Sequence, residues 1–318
     1  MLNYICMANS NVPAYLALII SSIIWGIASP VIKYTLNYLS PISFLYFRFL
    51  IVSLIMFIPI ILRIRKIGIP KENIIVYVFL GLLCTPINLI LFFIGIEKTT
   101  AMDASLINTV SPILLILCGA YFLKEKINTY EKVGTVLALV GTIFTLIEPL
   151  IGNKKTIGSS VWGNFLVLLS ALEWVYFTIL TKKFHKDKID PLLLTGLSFF
   201  LGFIIMLPLH LFEITKYPVS LFSLNTGAIL GLLFMAVFSS AVAYFAYIYG
   251  LTKIEASKVS VFSYLQPVFA IPVSILILHE NLTPPFLAGA FLITVGVILC
   301  EHSSNSNRYQ ESPETSIT

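Results

Sequence analysis

Charge is what this chain has least of. Only 11% of its 318 residues are charged, less than half the usual share of a soluble domain, while 58% are hydrophobic. A water-soluble fold of this length cannot hide so much apolar surface, because its own exterior must stay largely polar. Cysteine is scarce as well. Cys6, Cys84, Cys118 and Cys300 are scattered, with no CxxC and no histidine at ligand spacing. Disulfide and zinc frameworks are therefore not expected, and each cysteine reads as a small apolar residue in a helix. A Gly-rich phosphate loop, GxSxG, HExxH and a basic run interleaved with aromatics are also missing. No cofactor, metal, nucleotide drive or nucleic-acid partner is expected from such a sequence.

What the chain does have is apolar runs of the length a bilayer requires. A hydrocarbon core of roughly 30 Å takes about 20 helical residues to cross. Hydropathy places ten such spans at 14–33, 42–62, 74–95, 102–123, 131–150, 161–181, 192–212, 226–249, 257–278 and 285–300. The fold class expected is an all-α membrane protein. The first span lacks a basic flank and is long for a signal peptide, so it reads as a retained helix. Arginine and lysine divide unevenly between the two sides. One side carries 14: Arg63, Arg65, Lys66, Lys71, Lys124, Lys126, Lys132, Lys182, Lys183, Lys186, Lys188, Lys253, Lys258 and Arg308. The other carries five, Lys33, Lys98, Lys154, Lys155 and Lys216. Positive loops stay in the cytoplasm, which puts both termini there and the protein in the cell (inner) membrane. The acidic, Ser/Asn-rich stretch 301–318 reads as a disordered cytoplasmic tail, and 151–160 ("IGNKKTIGSS") as a linker.

The chain also repeats itself. Residues 95–143 slide onto 250–298 without gaps, and 13 of the 49 positions are identical. They include Gly95, Lys98, Pro112, Glu125, Gly134 and Gly141, residue types that chance supplies sparingly in so apolar a composition. Earlier spans align more loosely, with Trp25 near Trp174 and Pro41 near Pro191. Repeats of five helices, 14–150 and 161–300, must enter the membrane from opposite sides. The expected result is an inverted-topology repeat with a pseudo-two-fold axis in the bilayer plane.

These features resemble the drug/metabolite transporter superfamily, specifically its EamA-type members. The residues carrying the resemblance are "IIWGIASPVIKY" in span one, "FRF" in span two and "ASLINTVSPILLILCGAYFLKEKI" in span four, with its echo "SVFSYLQPVFAIPVSILILHENL". The resemblance runs from about residue 14 to 300 and implies a multi-pass transporter, often an exporter of amino acids or other small metabolites. It also implies that Arg48 is the family's recurring arginine and that Glu125 and Glu280 belong to its L-x-E pattern.

Candidate site residues follow from what is costly in lipid. Pro112 and Pro267, 155 apart, each free a carbonyl four residues back and kink a helix, and such breaks sit against protein or a wet cavity. Asn108 and Ser111 in one half, Ser263 and Gln266 in the other, place spare donors and acceptors beside the breaks. Asn88 follows another proline in "CTPINL", and Tyr244 and Tyr247 share a face of span eight. With Tyr264 they form the expected lining of a substrate cavity; the alternative for these groups is cross-helix bonding. Trp25 and Trp174 are expected mainly to pack. Glu173, a carboxylate in mid-span, costs several kcal/mol unless protonated, paired or wet. It is either a proton-coupling group or part of a structural ion pair, with Arg48 the candidate partner. Arg48 itself is expected to be structural, snorkelling its guanidinium to the near interface. Glu125 and Glu280, like Lys98 and Lys253, read as helix-end anchors. Gly134, Gly141, Gly289 and Gly296 predict either a tight scaffold of spans five and ten or a homodimer contact.

An intramembrane protease needs paired aspartates or a Ser/His set well inside the spans, whereas the four histidines lie at Glu-rich or loop-proximal ends, so the protein is not expected to be an enzyme. The alternatives are a channel, which does not require two inverted halves, and a sugar-phosphate or nucleotide-sugar antiporter, which needs several cations in its cavity, where within the spans only Arg48 is available. The leading expectation is a secondary transporter moving a small neutral, zwitterionic or cationic solute, with lipid and that solute as its partners.

Overall fold

In a computed structural model of the chain, residues 2–68, 71–123, 129–151, 160–184, 189–216, 224–254, 259 and 262–310 are described. All regular structure among them is helical. Span one is α1 (Leu2–Thr35) and span two α2 (Pro41–Ile67). Span three is α3 (Lys71–Leu82), a π-helical turn Leu83–Ile87, and α4 (Asn88–Glu97). Span four is split into α5 (Ala101–Asn108) and α6 (Val110–Leu123). Span five is α7 (Thr129–Ile151), span six α8 (Val161–Phe184) and span seven α9 (Pro191–Lys216). Span eight is α10 (Thr226–Phe234), a π-helical stretch Met235–Val242, and α11 (Ala243–Lys253). Span nine is a 3₁₀ turn, Phe262–Tyr264, followed by α12 (Leu265–Leu278), and span ten is α13 (Pro284–Gln310). Six of the ten are long and apolar enough to cross a bilayer by themselves, and the other four are shorter apolar helices. The protein is a helical membrane protein whose described residues form ten helical spans.

Three boundaries differ from expectation. Span four resumes as α6 only at Val110 and span nine becomes α-helical only at Leu265, so Pro112 and Pro267 lie in the first turns of α6 and α12 rather than kinking a continuous helix. Pro is tolerated there because a first-turn N–H has no intrahelical partner anyway. At the C-terminal end α13 continues to Gln310, ten residues into the stretch expected to be disordered. Residues 311–318, the linker positions 152–159 and Glu125 lie outside the described residues.

The inversion is written into the contacts of α2 and α9. Each begins with a capping residue followed by proline, Ser40–Pro41 and Asp190–Pro191, a local start signal. Ser40 Oγ accepts from Ser43 N at 3.1 Å, and Asp190 Oδ1 accepts from the backbone of Leu192 and Leu193 at 3.1 and 3.0 Å. Each cap is then held by the far end of the other helix. Ser40 and Ser43 donate to Glu213 Oε2 at 2.7 and 2.6 Å, while Arg63 Nε donates to Asp190 Oδ2 at 2.8 Å. The N-terminus of each helix therefore sits at the C-terminus of its repeat mate, so the two second helices run antiparallel. Lysines obey the same relation. Lys33 of α1 donates to the carbonyls of Ile96 and Glu97 at the end of span three, at 3.0 and 2.8 Å. Lys182 of α8 donates to the carbonyl of Ile254 at the end of span eight. Cations at helix C-termini satisfy orphan carbonyls and oppose the macrodipole.

The glycine stripe of spans five and ten is used within the chain. A Cβ on Gly141 would lie 2.7 Å from the Gly289 carbonyl oxygen and 2.9 Å from Ile293 N, and a Cβ on Gly296 would collide with the Gly134 carbonyl. Helices α7 and α13 thus cross backbone to backbone, which places the scaffold role of these glycines inside the chain.

Candidate functional site

The helix interruptions come in pairs related by the repeat. In span four the helix breaks at Thr109, between α5 and α6; in span nine the 3₁₀ turn ends at Tyr264. Those residues are 155 apart, as are the prolines. Spans three and eight are each interrupted by π-helix, a geometry frequent at functional sites. It releases carbonyls from the α-ladder, and here side chains collect some of them. Trp25 Nε1 donates to the Ser239 carbonyl at 3.2 Å, and Ser240 Oγ donates to the Met235 carbonyl at 2.8 Å. The sequence gives a proline in the first π turn but no such marker in the second.

Between the four broken spans lies a cavity of about 100 Å³, room for several waters or a small organic molecule. Its wall takes Trp25, Ala28, Ser29 and Ile32 from α1, Arg48 from α2, and Asn88, Leu89 and Phe92 from span three. Asn108 and Ser111 come from span four, Ser170, Ala171 and Trp174 from α8, Met235, Ser239 and Tyr244 from span eight, and Ser263 and Gln266 from span nine. Both halves contribute. Of the eight residues the sequence singled out, Asn88, Asn108, Ser111, Tyr244, Ser263 and Gln266 are in this wall, and Tyr247 and Tyr264 are not. Tyr247 is buried beneath the wall, its hydroxyl 3.3 Å from Thr178 Oγ1 and its ring 5.2 Å from Trp25 and 5.1 Å from Trp174.

The two tryptophans do more than pack. Trp25 and Trp174, related by the repeat, meet edge to face at 5.6 Å and line the cavity together. Tyr244 lies against both, 5.1 and 5.8 Å away. Such edge-to-face pairs put the electropositive ring edge on the negative ring face. Helix α1 reaches this position because Gly26 has no side chain: a Cβ there would fall 2.7 Å from the Gln266 carbonyl.

Arg48 corrects the expectation of snorkelling. It is 1% exposed and part of the cavity wall. Nε donates to Ser240 Oγ at 2.6 Å and Nη2 to Ser239 Oγ at 3.4 Å, and the guanidinium lies 5.6 Å from the Phe93 ring centroid. Nη1 is buried with no hydrogen-bond partner among the described residues. Nor does Arg48 pair with Glu173. That carboxylate accepts from Asn88 Nδ2 at 2.8 Å through Oε2, and its Oε1 is buried without a partner among the described residues. Asn88 Nδ2 also donates to the Ser170 carbonyl at 2.8 Å, bridging the cavity wall to Glu173. The sequence reading missed Ser29, Ser170 and Ser239; the available signal was their polarity within apolar runs.

Glu280 lies beyond the end of α12, at the mouth of the bundle. Its oxygens accept from Ala101 N at 2.7 Å and Met102 N at 3.0 Å, so the second half supplies the carboxylate that satisfies the start of α5. Burial pushes this carboxyl above its ordinary range; the two backbone N–H groups pull it back, nearby Asp103 raises it and Lys33 lowers it. Lys98 forms an exposed contact with Glu97 at 3.4 Å, and Lys253 is exposed at the end of α11.

The profile of the EamA-like transporter family matches residues 12–147 and 161–300, one match per half. The uncharacterized transporter YyaM of Bacillus subtilis (strain 168) is 28% identical over 305 residues, covering 95% of this chain and 98% of its own. An uncharacterized transporter of Archaeoglobus fulgidus is 30% identical over 290 residues, covering 90% and 97%. A crystal structure at 14% identity superposes with a TM-score of 0.67 over 94% of this chain and 99% of the other, which shows a shared fold. With two matched halves and relatives aligned end to end, the chain belongs to the EamA-like transporter family: it is a multi-pass membrane transporter and not an enzyme.

Proposed function

We propose that the protein is a secondary transporter that exports a small organic metabolite of amino-acid type by alternating access, from the cell membrane with both termini in the cytoplasm. The observation that carries the reading is the pair of helix breaks at Thr109 and Tyr264, in register across the repeat and flanking one cavity built by both halves. Inverted halves can exchange conformations, so a site between them faces one side and then the other. The lysine and arginine bias supports the orientation. Glu173 is the candidate coupling group: a half-buried carboxylate with one buried, unpartnered oxygen, joined to the wall through Asn88, can exchange a proton as the cavity opens to water.

Counterflow in proteoliposomes tests the reading. Labelled amino acids should enter vesicles preloaded with the same unlabelled solute, and a pH gradient should accelerate the flux. Glu173→Gln should keep counterflow and lose the pH dependence. Absence of counterflow for every small metabolite tried refutes the transporter reading; an unchanged pH dependence in the variant removes Glu173 from the coupling.

A further inference from the structure

The scaffold ties of this protein come in symmetric pairs. Ser40–Glu213 is mirrored by Arg63–Asp190, and Lys33 on the end of span three by Lys182 on the end of span eight. Arg48 is different. Its counterpart in α9, 150 residues on, is Ser198, so the cation occurs once on a duplicated frame. A tie needed by the frame itself would be expected twice.

Its bonding is also incomplete. A guanidinium offers five N–H donors in a fixed fork, and here two of its nitrogens meet neutral serine hydroxyls while Nη1 has no partner among the described residues. No carboxylate among the described residues pairs with it. A buried charge left without a counter-ion and with an unmade hydrogen bond is strongly unfavourable. Ser239, which lines the cavity, and Ser240 hold the group in the wall, and the second π-helix holds Ser240 through the Met235 carbonyl.

We propose that Arg48 is the residue that selects the solute: its Nη1 edge receives a carboxylate or comparable anionic oxygen, while the remainder of the molecule lies against Trp25, Trp174 and Tyr244. This rests on the transporter reading of the cavity and narrows it, excluding the purely cationic solutes that the sequence left open. The missing acceptor is supplied by the cargo. Planar guanidinium–carboxylate pairing adds orientation as well as affinity, so the charged end is fixed and the variable end meets the aromatic wall.

The test uses purified full-length protein in lipid nanodiscs and three probes of one shape: benzoate, benzamide and benzylamine. Binding is followed by the change in tryptophan fluorescence in a Trp162→Phe background, which leaves Trp25 and Trp174 of the cavity wall as the only tryptophans of the chain. Benzoate should bind most tightly and benzylamine most weakly, with about tenfold or more between them, the effect of one charge-assisted hydrogen bond. Arg48→Gln should level the order, and Arg48→Lys should keep it in weakened form. Equal or tighter binding of benzylamine by the wild type overturns the proposal, as does failure of benzoate to bind or an unchanged order in Arg48→Gln. The wild-type series decides by itself if the glutamine variant does not fold. Counterflow without any charge preference would sink the role of Arg48 alone, whereas a charge order without counterflow of any solute would sink the transporter reading.

Discussion

Adding one methyl group to the α7–α13 crossing should separate two helices that nothing else in the sequence marks as joined. In Gly141→Ala the new Cβ would stand 2.7 Å from the Gly289 carbonyl oxygen and 2.9 Å from both Ile293 N and Ile293 Cγ1. Two of those three atoms are backbone, so relief requires movement of a whole helix. Overpacking of this kind costs about 1–3 kcal/mol, and the better helix propensity of alanine returns roughly 1 kcal/mol at most. The balance is destabilising. Gly227 provides the control. A Cβ there would meet the Tyr34 hydroxyl oxygen at 2.6 Å, but that is the far end of a rotatable side chain that can swing away. Gly227→Ala should therefore be neutral or stabilising by up to about 1 kcal/mol. Thermal unfolding of both variants in the same detergent gives the comparison: the melting temperature should fall for Gly141→Ala and hold or rise for Gly227→Ala. Equal shifts, or the reverse order, would refute the argument that backbone contact sets the cost. Because the stripe is occupied inside the chain, Gly141→Ala should not change the oligomeric state.

Three further outcomes follow from single contacts. Cysteines introduced after α2 and after α9 should react with an impermeant reagent from opposite faces of the membrane, since those helices run antiparallel; labelling from one face contradicts the inversion. A double-mutant cycle on Arg63 and Asp190 in thermal or denaturant unfolding should return a weak coupling that shrinks further as salt is added, because the arginine side chain is 36% exposed and such pairs are screened; a strong coupling unmoved by salt would mean the pair is sealed from water. For Glu280 the sign is set by burial, which holds the folded carboxyl above the ordinary value near 4.5. Folding then takes up a proton between the ordinary and the raised value, so stability falls as pH climbs through that window. Glu280→Gln should flatten this part of the pH–stability curve, and an unchanged slope would assign it to another group.

How much of this was legible beforehand depends on which solvent each feature meets. Ten spans, their count per half and the duplication are one-dimensional properties. Runs of about 20 apolar residues, the lysine and arginine bias, and Pro112 and Pro267 at one spacing depend on chain order and bilayer thickness alone, so sequence determined them. Six of the eight expected cavity residues are in the wall for the same reason: polar groups beside a broken helix have nowhere cheap to go in hydrocarbon.

Rotation about the helix axis was beyond reach. In water an apolar stripe marks the inward face, but in lipid the outside is as apolar as the core, and no pattern says which way a residue such as Arg48 points. Only packing decided that it faces Ser239 and Ser240 rather than the interface, that Tyr247 lies behind Trp25 and Trp174, and that the glycines of α7 meet those of α13. Packing also decided that Glu173 finds Asn88 rather than Arg48. Each of these choices is made by a neighbour distant in sequence, and the uniform apolarity that announces a membrane protein is what erases the local signal for them.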